Sequence, residues 1–480
     1  MTFLTHNATR PPEPPHAGAR HVVIVGGGAS GVLMAIHLLD RRDAGFRVTI
    51  LEGRNMLGCG IAYSTQDPGH LLNTRVSNMS AFARDPDHFR RWLAARPGLP
   101  SDELCFVGRP TYGAYLSDLL RAWQTGPGRG RLSCIRQTCT GLRRKGAGFV
   151  LELDSGTSLL ADQVILATGH SRPDSDPSGL LTGAWDAIPE TDPDGRVLII
   201  GTGLSMIDQA LSLLAQGHRG EIVALSRRGL LPREHGPAVP LILSVADVPL
   251  GAPVSALFRW ARQLARQAEA QGGSWRDAID AIRPHVRRLW TGLSTEQRAR
   301  FLRHAVAWWD VHRHRVPPAS ADRIGKAMAR GQLRVMRGAF LSARPGRDGV
   351  IAELRLHGEG GRVEFPAARV IDCRGIRRDL RQHGSPVVRA MLARGRRGSI
   401  RCRSGWTWRR TAPSGTPWAS GWRGCSPSVP SRARPSGKSP PSRTSANRSR
   451  RWRSAWARGA ARARRAERGR QRGGPRSCPQ

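Results

Sequence analysis

At 480 residues the chain has room for two or three domains with cores of their own. It holds no run near ~18 consecutive apolar residues, so no membrane span is expected and the default is a cytoplasmic protein. The net charge of +40 would ordinarily point to nucleic acid. However, 73 of the 76 basic residues are Arg, the bias of a GC-rich gene, and residues 396–480 carry 23 basic side chains against Glu467. That leaves +18 for the other 395 residues, and no specific nucleic-acid partner is expected. The eight cysteines form no CxxC pair, so reduced thiols and no metal site are expected.

Residues 1–20 contain "RPPEPPHAG", too polar for a signal peptide, and read as a flexible leader. "HVVIVGGGASGVLMAIHLLDRRDAGFRVTILE" follows, as an apolar strand, a glycine turn, a helix and a second strand ending in an acid. Gly26 makes the tight turn, Gly28 lets the backbone approach a pyrophosphate, and Gly31 lets helix and strand pack. Ser30 belongs to the same turn. Phosphate charge is attracted to the helix N-terminus, and Glu52, 21 residues after Gly31, can hydrogen-bond both ribose hydroxyls. Further on, "LLADQVILATGH" ends a strand in Ala167, Thr168 and Gly169.

"GRVLIIGTGLSMIDQALSLL" repeats the architecture with Gly201, Gly203 and Ser205, but Met206 replaces the third glycine, so this helix should pack less closely. Its second strand, "GEIVALSRRG", ends in Ser226, Arg227 and Arg228 where the first ends in an acid. Two guanidiniums and a hydroxyl would bind a 2′-phosphate, which favours NADPH over NADH. Residues 252–313 carry apolar residues three and four apart, the period of a helical insertion. In "WWDVHRHR", His312 and His314 do not share a helix face, so metal binding is rejected there in favour of a packed helix end. "VIDCRGIRRDL" has the build of the ATG segment, with Arg374 in the place of Thr.

These motifs, together with "GCGIAYSTQDPGHLLNTRVSNMSAFARDPDHFRRWL", "FVGRPTYGAYL" and "ALSRRGLLPREH", resemble the FAD/NAD(P)-binding flavoproteins of the YdhS-like type. Those proteins are distant relatives of the lysine and ornithine N-hydroxylating monooxygenases, and the resemblance covers about residues 20–395. It implies an α/β, two-dinucleotide-binding, Rossmann-like flavoprotein fold. The FAD-binding domain would comprise 21–195 and a return segment 333–395. An NADP-binding domain with the helical insertion would span 196–332, and a disordered basic tail 396–480. FAD and NADP(H) are the implied cofactors. NADPH would reduce the flavin, which then reacts with oxygen to hydroxylate a small-molecule substrate, or reduces another acceptor. The alternatives are an NADPH-linked reductase without oxygen insertion and an inactive flavoprotein. Residues 58–65 would run beside the flavin ring, Asn73, Met79 and Ser80 would meet its edge, and Arg109 would meet the FAD pyrophosphate while Tyr112 packs. No catalytic acid or base is assigned.

The tail is anomalous. From Arg396 onward there is no Leu, Phe, Tyr or Asp, yet six of the 14 Trp lie here. When codons are read one base earlier, Ser and Trp put T in the middle position, which encodes apolar residues. Residues 435–453 then permit "FWEITAVPDIREQVAAL", and residues 424–434 permit "LFAVGPVTR". These suit a strand, a turn and an amphipathic helix, and nearly match a segment that closes over the flavin in related flavoproteins. A frameshift near 394–400 is therefore expected. Gene sequencing checks it: one base inserted or lost there supports the expectation, and an open frame that cannot encode the shifted peptides contradicts it.

Overall fold

The computed structural model describes residues 19–41, 45–125, 130–169, 176–186, 192–239, 241–358, 360–375 and 379–394, all within the unit Met1–Trp408. The leader up to residue 18 and the tail 396–480, with its frameshift reading, lie outside the described residues.

The first sheet is built on β1 (Arg20–Val25), whose residues Val22 to Val25 are all buried. Only a strand covered on both faces has such a run. It pairs in parallel with β2 (Phe46–Leu51) and with a later strand; β3 (Leu132–Ile135) lies outside β2. The chain then forms a small antiparallel sheet, β4 (Cys139–Lys145), β5 (Gly148–Leu153) and β6 (Ser158–Ala161). It returns as β7 (Gln163–Leu166), giving the order β3-β2-β1-β7. One face is covered by α1 (Ala29–Leu39), α2 (His88–Ala94) and α3 (Arg109–Thr125), which bury Val32, Ile36, Phe89, Tyr115 and Leu116 against it. The small sheet covers the other face with Leu142, Leu151 and Leu153. Each such side chain removed from water contributes ~1.5–3 kcal/mol.

The second sheet contains β8 (Leu181–Gly183), β9 (Val197–Ile200), β10 (Ile222–Ser226), β11 (Leu333–Gly346), β12 (Gly349–Leu356), β13 (Val363–Ala367) and β14 (Arg369–Asp372). Its order is β13-β12-β11-β10-β9-β14-β8. β11 pairs in parallel with β10 over Leu333–Arg337 and antiparallel with β12 from Gly338 onward, with an irregularity between Phe340 and Ser342. The antiparallel part thereby folds its apolar face, Val350, Ala352, Leu354 and Phe365, over Leu198, Ile200, Val223 and Leu225. The opposite face carries α4 (Leu204–Ala215), and the insertion runs through α5 (Val254–Ala270), α6 (Trp275–Ile282), α7 (Val286–Gly292), α8 (Thr295–His304) and α9 (Val306–Arg313). α10 (Pro318–Ala329) then joins α4 on the sheet through Ile324 and Ala327.

This topology corrects the expected domain division. Residues 333–372 do not return to the first domain, because they pair strand by strand into the second sheet, where Val370 and Ile371 are fully buried beside β9. β8, placed by the sequence in the first domain, is an edge of the same sheet. α11 (Leu380–His383) and α12 (Pro386–Arg394) then pack back on the first domain, through Leu380, Val387 and Val388.

A polar cluster joins the two domains. Arg109 at the start of α3 pairs with Asp208 of α4 at 2.8 Å. His70 Nε2 lies 2.9 Å from Ser212 Oγ, and that hydroxyl also bonds Asp67. Burial pushes the Asp208 carboxyl up, and the Arg109 guanidinium opposes the shift.

Candidate nucleotide-binding and active site

At the end of β1, Gly26 has φ +111°, its N–H donates to Leu51 O at 2.8 Å, and Ala167 N donates back to Val25 O at 2.8 Å. A Cβ on Gly26 would stand 2.3 Å from Ala167 O and 3.2 Å from Thr168 N. A Cβ on Gly31 would stand 1.9 Å from Gly26 O, so only glycine lets α1 approach the turn this closely. Gly28 is the N-cap residue of α1, whose first turn carries no acid, leaving its N-terminus suited to phosphate. Ser30 is exposed within that turn. Glu52 Oε2 accepts from Gly27 N at 2.9 Å, and Oε1 accepts from Arg54 N at 3.0 Å. Gly26, Gly28, Gly31, Glu52, Ala167 and Thr168 are thus brought to one place, and Gly169 follows with φ +60°.

The sequence reading passed over Gly27, where a Cβ would lie 2.5 Å from Leu57 Cδ2 and 2.7 Å from Glu52 Cβ. It is the middle member of three glycines, and that run was the available signal. Gly58, with φ +87°, donates to Gly27 O at 2.8 Å, so residues 58–65 begin directly against the turn. Tyr112 packs, with its ring 4.9 Å from Tyr63 and 5.3 Å from Phe89.

Other expected contacts have different partners. Arg109, expected at the FAD pyrophosphate, donates from Nε to Leu71 O at 3.1 Å and pairs at its other end with Asp208. Its guanidinium ties two domains together, and this corrects the pyrophosphate assignment. Ser80 Oγ donates to Asp85 O at 2.6 Å and accepts from Phe82 N at 3.1 Å, closing its own turn. Met79 packs on the first core. The Asn73 carbonyl accepts from His235 Nε2 at 3.0 Å, linking this loop to the second domain.

The second turn repeats the first. Gly201 has φ +116°, donates to Leu225 O at 2.7 Å, and would place a Cβ 2.4 Å from Cys373 O. Cys373 N donates to Ile200 O at 2.8 Å. β14 and the residues after it therefore stand to β9 as β7 and ATG stand to β1, which explains the likeness of the two segments. Met206, fully buried, occupies the place of Gly31, so α4 cannot approach its turn as α1 does.

A cleft of about 630 Å³ opens above this turn. Gly201, Gly203, Ser205, Ser226 and Arg227 line it, together with Asp310, His314, Phe340 and Arg374. Ser226 Oγ accepts from Gly229 N at 3.0 Å and lies 2.9 Å from Thr202 Oγ1, which donates to Leu230 O. Arg374 stands where the ATG segment has Thr. It is held by Asp372 at 2.6 Å, with its guanidinium 5.4 Å from the Phe340 ring centroid. Arg228 does not join Arg227: it donates to Arg303 O at 3.2 Å. Of the expected pair only Arg227 lines the cleft, and Arg374 lines it as well. A smaller cleft, about 70 Å³, lies where loop 73–78 meets residues 235–238 and 280–283.

The cysteines near these turns are unsuited to thiolate chemistry at neutral pH. Burial pushes the Cys59 thiol up to about 12, and it also raises the Cys373 thiol.

Residues 23–171 match the family described as FAD-NAD(P)-binding. They form an FAD-NAD(P)-binding domain. No curated protein matches the chain. Among solved structures, the chain is similar to the FAD-bound cadaverine monooxygenase of the desferrioxamine pathway from Erwinia amylovora, at 12% identity and TM-score 0.49, covering 78% of this chain and 81% of that one. It is similar to the ornithine hydroxylase of Pseudomonas aeruginosa at 14% identity and TM-score 0.48, covering 78% and 86%. The ornithine N-hydroxylase of Kutzneria sp. 744 gives 13% identity and TM-score 0.46, covering 75% and 81%.

Gly203 offers a clean test of the second turn, since a Cβ there would meet nothing within 4 Å. Gly203→Ala should leave the thermal unfolding midpoint unchanged and weaken dinucleotide binding roughly tenfold, about 1.4 kcal/mol, by occupying the space a pyrophosphate needs. Unchanged binding by calorimetry would contradict that assignment.

Proposed function

We propose that the chain is an NADPH-dependent FAD oxidoreductase of monooxygenase type acting on a small molecule, of the YdhS-like kind. The observation that carries this reading is the pair of equivalent glycine turns with opposite charge beside them. Glu52 stands at the first, where a ribose diol can donate to a carboxylate. Ser226, Arg227 and Arg374 stand at the second, where a phosphate would be drawn. The first site fits FAD: the Gly26–Gly28 backbone, the N-terminus of α1 and Glu52 would hold its adenosine diphosphate half. Bound flavin supplies hydride acceptance and onward electron transfer to oxygen or another acceptor.

The chain's own residues orient and exclude. Gly201, Gly203 and α4 would seat the second pyrophosphate, with no acid in the first turn of that helix to repel it. Arg374, steadied by Asp372 and Phe340, would close the far side of the cleft. Asp310 and His314, from the end of α9 and just beyond it, bring the helical insertion to the cleft mouth. On this reading residues 396–480 are an out-of-frame product, as their composition and shifted peptides support.

Arg227→Ala should raise KM for NADPH by at least about tenfold, the loss of one charge-assisted phosphate contact, while KM for NADH and kcat stay unchanged. Stopped-flow flavin reduction with both nucleotides measures this. Equal effects on NADPH and NADH, or none on either, would contradict the assignment of the second site.

A further inference from the structure

The smaller cleft between the domains has a charge balance that the nucleotide sites do not explain. Its first-domain wall is the loop of Asn73, Arg75 and Asn78. Its other wall carries His235, Asp280, Arg283 and Arg315. Three guanidiniums thus face one carboxylate. Asp280 is largely committed to Arg315, at 3.0 and 2.9 Å, and reaches Arg283 only at 3.6 Å. Arg75 donates to Gly236 O at 2.8 Å, while its Nε is buried with no hydrogen-bond partner. Among the described residues no carboxylate pairs with Arg75.

The cations are also preorganised. Arg315 is 3% exposed, donates to His312 O at 3.0 Å, and lies 5.2 Å from the Trp275 ring centroid. His235 adds no charge at neutral pH. Burial lowers its pKa to about 4, and Arg315 and Arg75 oppose its protonation further. Its Nε2 must donate to the Asn73 carbonyl, which fixes the ring beside Phe106 at 4.9 Å. Nearby acids are engaged elsewhere: Asp277 accepts from Ser274 N and Val239 N at 2.7 Å each. Leaving a guanidinium Nε buried and unbonded is costly. A planar, two-oxygen anion satisfies such a group best, through parallel N–H donors.

We propose that this cleft holds the carboxylate of a small organic substrate, with Arg75 and Arg283 as the residues that bind it. The proposal deepens the oxidoreductase reading and rests on it for the word substrate. About 70 Å³ suits a carboxylate head group and excludes a nucleotide. The remainder of the substrate would extend along loop 73–78. Arg315, locked by Asp280, is a positioning residue that shapes the wall.

The test is calorimetric titration of the full-length chain with malonate, with its uncharged counterpart malonamide, and with inorganic phosphate. NADPH is titrated into the same samples. Saturable malonate binding, no malonamide binding and weaker phosphate binding are expected. Arg75→Gln and Arg283→Gln should each weaken malonate by about tenfold or more while NADPH binding stays unchanged. Arg283 is half exposed, so its variant should fold even if Arg75→Gln does not; circular dichroism checks both. Absent malonate binding, binding unchanged in a folded Arg283→Gln chain, or phosphate binding tighter than malonate would each overturn the carboxylate assignment. Loss of NADPH binding with malonate binding intact would instead strike the oxidoreductase reading alone.

Discussion

Two places where backbone passes backbone with no room for a Cβ set the rest of this structure. At one, Gly26 lies against the Ala167 carbonyl; at the other, Gly201 lies against the Cys373 carbonyl. Both glycines have φ beyond +110°, which a side chain adopts only at a strain of ~1–3 kcal/mol. From each turn a helix departs with its N-terminal amides towards the cleft, and a neighbouring strand end delivers the charge that sorts ligands. The hydrogen bonds repeat almost atom for atom, from Leu51 O and Val25 O in one domain to Leu225 O and Ile200 O in the other. What differs is chemistry at the rim: a carboxylate at the first turn, and a hydroxyl with guanidiniums at the second.

Two such sites serve one reaction only if the domains hold a defined relation. Arg109, Asp208, His70, Ser212 and Asp67 supply it from the facing surfaces of α3, α4 and loop 65–70. A buried ion pair contributes little net stability, because desolvation offsets most of its attraction, yet losing one partner strands the other charge. Such a cluster therefore specifies orientation more than it adds stability. The carboxylate cleft lies on the same seam, bridged by the His235 bond to Asn73 and the Arg75 bond to Gly236.

Local signals were legible in the sequence because their physics is local. Glycine spacing, the acid at Glu52 and the apolar strands of both turns lie within about one βαβ unit of each other. Strand partnership at a distance was not. Residues 333–372 look like a return to the first domain because "VIDCRG" resembles "VILATG". The two are alike because they occupy equivalent positions in different sheets, and only pairing with β9 and β10 distinguishes them. Arg228 and Arg109 failed because their partners, Arg303 and Asp208, lie far away along the chain. The convergence of Arg75, Arg283 and Arg315 had no sequence signal in a chain where Arg is everywhere.

On the proposed reading the first turn holds FAD. The most direct measurement is the absorbance spectrum of the purified chain, shown to be folded by circular dichroism, incubated with excess FAD and then desalted. Flavin absorbance is expected to stay with the protein. A folded chain that elutes colourless would contradict it.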